Sequence, residues 1–405
     1  MNVLTIALAL VTFACSSLCD DASSSSEPTS PPGDPGLWTE LSDTRFDRSP
    51  AICGQPGAAA APACLPSSLP AGGNDEVANA ITAWVSGDYD GSRGWLIIPR
   101  GGGHADWAGN QVIAFDVPNG RWRLVTPTSF AAVRMSSSTA STEYTNPYAD
   151  GSPASVHSYD AVAWMPWIDQ MWSSGGIYWS PGGQSDRNTF WWDPNGEGLA
   201  AWTAKAPRPG GYATTAVADV AEKRLWVRYN GGFAAYDPTT DTYTQLFSAS
   251  GVAAETSPLA LDPVGRALYR FNKQSSEFAI RRIDLTNPAG GEVLLAVSGD
   301  TAVQTIAGAG LMWDAGRLVA FGPGITSGTG ALYTLDPTGC GTAQLPACVW
   351  IRHDPLDGIH PPRGAVQGIW KRWFRHGCDY YVVLDGRTNV WKIRPPWQTD
   401  TCVTQ

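Results

Sequence analysis

Charge is scarce in this sequence: Asp, Glu, Lys and Arg make up 16% of 405 residues, and histidine occurs only five times. What charge there is leans acidic, with a net −10, which argues against nucleic acid as a partner. Long amphipathic helical patterns are missing too. There is no phosphate loop, dinucleotide-binding fingerprint, HExxH helix or GxSxG elbow, which excludes those routes to nucleotide, metalloprotease and serine-hydrolase chemistry. None of the eight cysteines has the CxxC spacing of a zinc site or redox pair. The apolar run from Val3 to Cys15 is too short to cross a bilayer.

That run ends in small residues and reads as a secretion signal over residues 1–19, cleaved near Ala14 or Leu18. Cys15 is the alternative processing point, and a lipid attached there is the only membrane hold expected. Residues 20–36 are nearly all Asp, Ser, Glu, Pro, Thr and Gly, a composition that builds no core and makes a solvated tether. Residues 37–397 are left to fold, with 398–405 as a C-terminal tail. In an exported chain the near neighbours Cys53/Cys64, Cys340/Cys348 and Cys378/Cys402 can each close a disulfide loop, although six cysteines allow about fifteen pairings.

In place of charge the sequence has 44 glycines, 31 prolines and 19 tryptophans, which point to turns and aromatic strands. An apolar residue plus Asp, leading into a turn, recurs at Phe115-Asp116, Trp192-Asp193, Tyr236-Asp237, Ile283-Asp284 and Leu335-Asp336, at spacings of 77, 44, 47 and 52 residues. Apart from the first, these match the roughly 40–50-residue period of a four-stranded propeller blade, the marker ending each third strand. The long first interval holds a Ser/Thr/Pro/Gly-rich insertion, Pro127 to Ser155, of a length that is usually functional or disordered. A last unit, Ala365 to Arg394, lacks a fourth strand, while Leu37 to Leu41 resembles the fourth-strand segment Arg121 to Leu124 with no blade in front of it. The expected fold is therefore all-β: a single β-propeller of six or seven four-stranded blades, closed by the N-terminal strand.

In such a ring the turn between second and third strands and the entry to each first strand open on one face. His104 stands on the former in the first blade, and His157 on the latter in the second. Sliding Ala161-Val162-Ala163 onto Ala216-Val217-Ala218 carries His157 onto Tyr212, and Arg228 ends the second strand of that same blade. Four polar groups from three consecutive blades are thus expected at one mouth.

The loop Gly101-Gly102-Gly103-His104-Ala105-Asp106-Trp107-Ala108-Gly109-Asn110, the His157-Ser158-Tyr159 strand entry and the Tyr212/Arg228 pair resemble the kelch-like propeller polysaccharide lyases, of which the ulvan lyases are the best-known members. The resemblance runs from about residue 37 to 397 and is specific over 94–232. It implies a seven-bladed enzyme that breaks uronic-acid linkages by β-elimination, with histidine, tyrosine and arginine in a central cleft. His104, Tyr212 and Arg228 match those roles by position. The family's second histidine, soon after the first, is missing here, and His157 replaces it from another loop.

The chemistry asks for such groups. Removing the C5 proton of a uronate builds charge on the adjacent carboxylate, which an arginine can hold through both oxygens. A base must reach C5 and an acid the glycosidic oxygen; His104, His157 and Tyr212 are the candidates, with the division among them open. Arg100, Asp106, Trp107, Asn110, Tyr144, Tyr148 and Arg363 are the expected substrate-binding residues, the aromatics among them by stacking on sugar faces. Because a net −10 repels polyanions, attraction falls to a local basic mouth of Arg100, Arg134, Arg228 and Arg363. No metal ligands or cofactor are required, and a structural metal ion is compatible with the reading. The expected partner is an acidic polysaccharide met outside the cell or on its surface by a monomer, with no nucleic acid.

Two other readings compete. Histidine in a glycine-rich turn can be a turn hydrogen bonder and Tyr212 a core aromatic, which leaves a non-catalytic carbohydrate- or protein-binding kelch-like propeller. A galactose-oxidase-like copper radical enzyme would need a cysteine beside a clustered tyrosine, whereas the cysteines here gather at the chain ends.

Overall fold

The computed structural model describes residues 35–49, 78–104, 106–129, 145–180, 182–211, 214–249, 257–271, 279–305, 308–323, 330–338, 340, 348–362 and 368–398. Strand β1 (Trp38–Leu41) comes first in the chain, and a one-turn helix α1 (Asn79–Thr82) precedes the first complete sheet. That sheet is β2 (Asp88–Asp90), β3 (Trp95–Pro99), β4 (Val112–Asp116) and β5 (Arg121–Thr126). The second unit is β6 (Val156–His157), β7 (Val162–Met165), β8 (Gln170–Tyr178), β9 (Gln184–Trp192) and β10 (Trp202–Lys205), the short β6 pairing with the far end of β8. The third is β11 (Thr214–Asp219), β12 (Arg224–Tyr229), β13 (Gly231–Asp237) and β14 (Thr242–Ala249). The fourth is β15 (Leu259–Asp262), β16 (Ala267–Phe271), β17 (Ala279–Asp284) and β18 (Glu292–Gly299). The fifth is β19 (Gly310–Asp314), β20 (Arg317–Pro323), β21 (Gly330–Leu335) and β22 (Cys348–His353). The last has only β23 (Trp373–His376), β24 (Asp379–Val382) and β25 (Val390–Ile393) of its own.

β1 completes that last unit. It pairs antiparallel with β25, Trp38 opposite Ile393, so the sheet order is β1-β25-β24-β23. Just ahead of β1, Pro35 and Gly36 also lie against Arg394. The innermost strands β2, β7, β11, β15, β19 and β23 follow one another around the axis, and the 3₁₀ turn Trp370–Arg372 meets β2 to close the circle. Tyr89, Trp164, Val217, Leu261, Met312 and Phe374, one from each of those strands, line an axial cavity of about 490 Å³.

Strand alternation builds the walls. In β3, Leu96 and Ile98 pack with Phe374 and Tyr381 of the last unit, while Ile97 between them packs with Val162 and Trp164 of the second. The same arrangement continues around the ring, from Trp172 against Leu225 to Trp226 against Leu268, Tyr269 against Leu311 and Phe321 against Trp373. Among the described residues, then, six units share six apolar interfaces. Trp172, Trp192, Trp226, Trp350 and Trp373 are fully buried there. Each contributes roughly 4–6 kcal/mol of gross hydrophobic stabilisation, which accounts for the abundance of tryptophan by packing.

The Asp marker ends third strands β4, β9, β13, β17 and β21, and its role is local. Oδ1 of Asp193, Asp237, Asp284 and Asp336 accepts the N–H two residues on, at 2.8, 2.8, 2.9 and 2.9 Å, and Asp116 accepts from Asn119 at 3.2 Å. Each carboxylate thus nucleates the turn into the fourth strand. One connection departs from separate blades: β18 and β22 pair in parallel, Val297 opposite Cys348, and join the fourth and fifth units at their outer edges.

Cys340 and Cys348 form a disulfide, and Cys378 is also disulfide-bonded. Cys53, Cys64 and Cys402 lie outside the described residues, as do residues 1–34 and 399–405. Among the described residues no helix is long and apolar enough to cross a membrane.

Candidate functional site

The loop between β3 and β4 is wound tightly by left-handed residues: Arg100, Gly102, Gly103 and His104 have φ of 42°, 130°, 73° and 36°. Gly103 sits so close to the backbone of Val156 and His157 that a Cβ has no room, which explains a glycine at this place. Its N–H donates to Trp107 O at 2.9 Å, and Asp106 N–H donates back to Gly103 O at 2.8 Å. Asn79 of α1 braces the turn by donating to Asp106 O at 3.2 Å. The next blade docks on this loop: Val156 N–H donates to Arg100 O at 3.0 Å, and Ser155 Oγ donates to Trp107 O at 2.7 Å.

That docking delivers His157 to Asp106. Nε2 of His157 lies 2.6 Å from Asp106 Oδ2, with the imidazole 3% exposed and the carboxylate about a third exposed. Burial lowers the His157 pKa and outweighs the carboxylate, which raises it; the neighbouring His104 lowers it further. His157 is therefore neutral at neutral pH and donates Nε2–H to Asp106. His104 is exposed, its ring centroid 5.3 Å from that of His157 at an interplanar angle of 72°. Gly183, from the β8–β9 loop, leaves the space that the His104 ring fills.

Next to the histidines lie three aromatic side chains that stand just upstream of the first strands β2, β7 and β23. Tyr159 lies 6.1 Å from His157, 5.8 Å from Trp84 and 6.2 Å from Trp370 between centroids, and Trp84 lies 6.2 Å from Trp370. All three have left-handed backbones, with φ of 51° at Trp84, 50° at Tyr159 and 46° at Trp370. For bulky residues this costs on the order of 1–3 kcal/mol each, and such strain gathers at ligand sites. Asp160, beside Tyr159 in the chain, is fully buried and its pKa is pushed up by burial to about 6. Lys371 Nζ stands 3.8 Å from both Asp160 and Asp88 and donates to Val162 O.

Arg228 is packed against the fourth unit. Its side chain is buried between β12 and the fourth unit, where Nε is 3.4 Å from Glu292 Oε1 and Nη1 donates to the carbonyls of Tyr229 and Gly232. Glu292 also takes two hydrogen bonds from Arg270, at 2.7 and 2.5 Å. Burial, ahead of repulsion from Arg270, lowers the Arg228 pKa to about 10.

The remaining expected residues divide by burial. Trp107 is 2% exposed, with its indole N–H on Gln111, so its ring packs in the core and has no face free for a sugar. Tyr148 is equally buried and donates to Ala108 O at 3.1 Å. Asn110 ties the loop to the insertion, donating to Ser152 Oγ at 3.0 Å and Pro153 O at 2.8 Å. Arg100 is fully buried, donates to Ser173 Oγ at 2.9 Å and Ala154 O at 3.1 Å, and has its pKa lowered to about 10 by burial. These four hold the loop in place rather than present themselves at the mouth. Tyr144, Tyr212, Arg134 and Arg363 lie outside the described residues. Among the described residues no three His, Cys, Asp or Glu side chains gather as metal ligands.

Sequence reading missed Trp84, Asp160 and Trp370 and assigned Asp106 to substrate. A signal existed for the aromatics: a bulky ring a few residues before a first strand occurs three times around the ring.

No family model matches the chain, and no curated protein matches it. Solved structures similar to it include the nidogen/laminin complex, at 8% identity over 66% of this chain and 84% of that chain with a TM-score of 0.41. YjhT follows at 12% identity, 59% and 72% coverage and a TM-score of 0.38. An auxiliary nutrient binding protein from Bacteroides thetaiotaomicron has 14% identity, 77% and 68% coverage and a TM-score of 0.43.

Proposed function

We propose that this propeller is an exported polysaccharide lyase that cleaves a uronic-acid-containing polysaccharide by β-elimination. The observation that carries the reading is an exposed His104 beside a buried His157 held by Asp106. His104 takes the C5 proton of the uronate. The C5–H electron pair becomes the C4=C5 double bond, the C4–O bond breaks, and the leaving oxygen receives a proton from His104 or from Tyr212. No electron is gained or lost, so no redox cofactor is needed. The Asp106–His157 pair fixes the ring that His104 packs against and stabilises the imidazolium that forms. Export as a secreted or lipid-anchored protein is part of this proposal, supported by the apolar run and polar tether of residues 1–36.

Incubation with ulvan, alginate, pectate, glucuronan and glycosaminoglycans, followed by the ultraviolet absorbance of the unsaturated end, tests this. Absorbance that rises with wild type and not with His104→Ala supports the lyase.

One observation favours the second reading, a non-catalytic carbohydrate- or protein-binding propeller. Arg228 is buried beside Glu292, so the cation expected to hold the uronate carboxylate is engaged with a carboxylate of the protein. Binding of a polysaccharide with no absorbance change would select this reading.

A further inference from the structure

Trp84, Tyr159 and Trp370 make a three-ring group in which two members are spent on packing. Tyr159 is 6% exposed and Trp370 is fully buried, whereas Trp84 is half-buried. The exposed aromatic surface of the group therefore belongs to Trp84. Its backbone is locked: φ is 51°, and its carbonyl accepts the Tyr159 N–H at 2.8 Å. Its indole leans on Tyr159 at 61° and on Trp370 at 45°, which fixes the ring plane. Packing alone does not call for a strained backbone at a tryptophan that stays partly in water. Aimed rigidity does, because a preset ring loses little entropy when it receives a ligand. The ring chain runs from Trp84 to Tyr159 at 5.8 Å and on to His157 at 6.1 Å between centroids, which keeps the indole within reach of a sugar neighbouring the one at the imidazoles.

We propose that Trp84 is a stacking platform whose indole receives the apolar C–H face of a pyranose ring of the acidic polysaccharide, beside the unit that His104 addresses. This rests on the proposed function for the identity of the ligand. The electron-rich indole face attracts the polarised C–H bonds of a sugar, and the contact is indifferent to the sugar's negative charge elsewhere. It is a binding contact made equally in ground and transition states, so its loss acts on KM and spares kcat.

The test uses the full chain with ulvan, alginate, pectate and glucuronan. Trp84→Ala is expected to raise KM about tenfold or more with kcat changed less than about threefold, and Trp84→Phe to recover most of the loss. In protein carrying 5-fluorotryptophan, the position-84 signal, assigned by its absence from Trp84→Phe, should shift as polysaccharide is added; this readout stands if Trp84→Ala fails to fold. Unsaturated product from wild type with no KM effect and no fluorine shift would overturn the platform and leave the lyase intact. A fluorine shift without product would end the lyase reading and keep the platform. Neither product nor shift with any of the four would overturn both.

Discussion

Asp106 and His157 stand 51 residues apart in the chain and 2.6 Å apart in space, one on the β3–β4 loop and the other on the entry to the next blade. The pair ties two blades together at the mouth and fixes which nitrogen of His157 carries the proton. Asp106→Asn keeps the size of the side chain and removes the charge that holds this tautomer. It should slow product formation by about 10²-fold, and His104→Ala by about 10²–10⁴-fold, measured by ultraviolet absorbance. Wild-type rates in both variants would remove the histidines from the reaction.

His157 also makes a prediction about acid. Its folded pKa lies below the ordinary 6.5, chiefly because of burial, so between the two values the unfolded chain binds more protons. Stability from neutral His157 is complete above about pH 6.5 and is lost as pH falls through the lowered folded value. Urea unfolding from pH 7.5 down to 5 should show wild type losing stability faster than His157→Asn. Parallel curves would mean that burial does not depress this imidazole.

Glu292 is the only carboxylate among the described residues within ion-pair reach of Arg228 and Arg270. Glu292→Gln leaves both guanidinium groups buried without a counter-charge and should cost about 3 kcal/mol in urea unfolding. A loss below about 1 kcal/mol would show that the carbonyl contacts of the two arginines suffice.

Closure of the ring depends on β1. Trp38 is 4% exposed, 5.5 Å from Phe321 and 6.3 Å from Trp373 between centroids, and thus ties the outer strand to both the fifth and the last unit. Trp38→Ala should cost about 3–5 kcal/mol and free the β25 edge for association, seen as a lower Tm and new oligomers in light scattering. An unchanged Tm would mean that the ring holds without its N-terminal strand.

The sequence by itself determined the blades, because their signals are local. The Asp at the end of each third strand bonds an N–H two or three residues away, and alternation in β3 already assigns Leu96 and Ile98 to one neighbour and Ile97 to the other. The missing fourth strand of the last unit and the stray strand at Trp38 were complementary in the same way. Repeat register also put His104 and His157 on one face, since it fixes strand ends. It does not fix what a side chain meets across the gap between blades. Asp106 finds His157, Glu292 pairs with Arg228, Trp107 turns into the core and Trp84 meets Trp370 only once the ring has closed. Those pairings depend on rotamers and on the curvature that brings the first unit against the last, and neither is encoded in the spacing of any single blade.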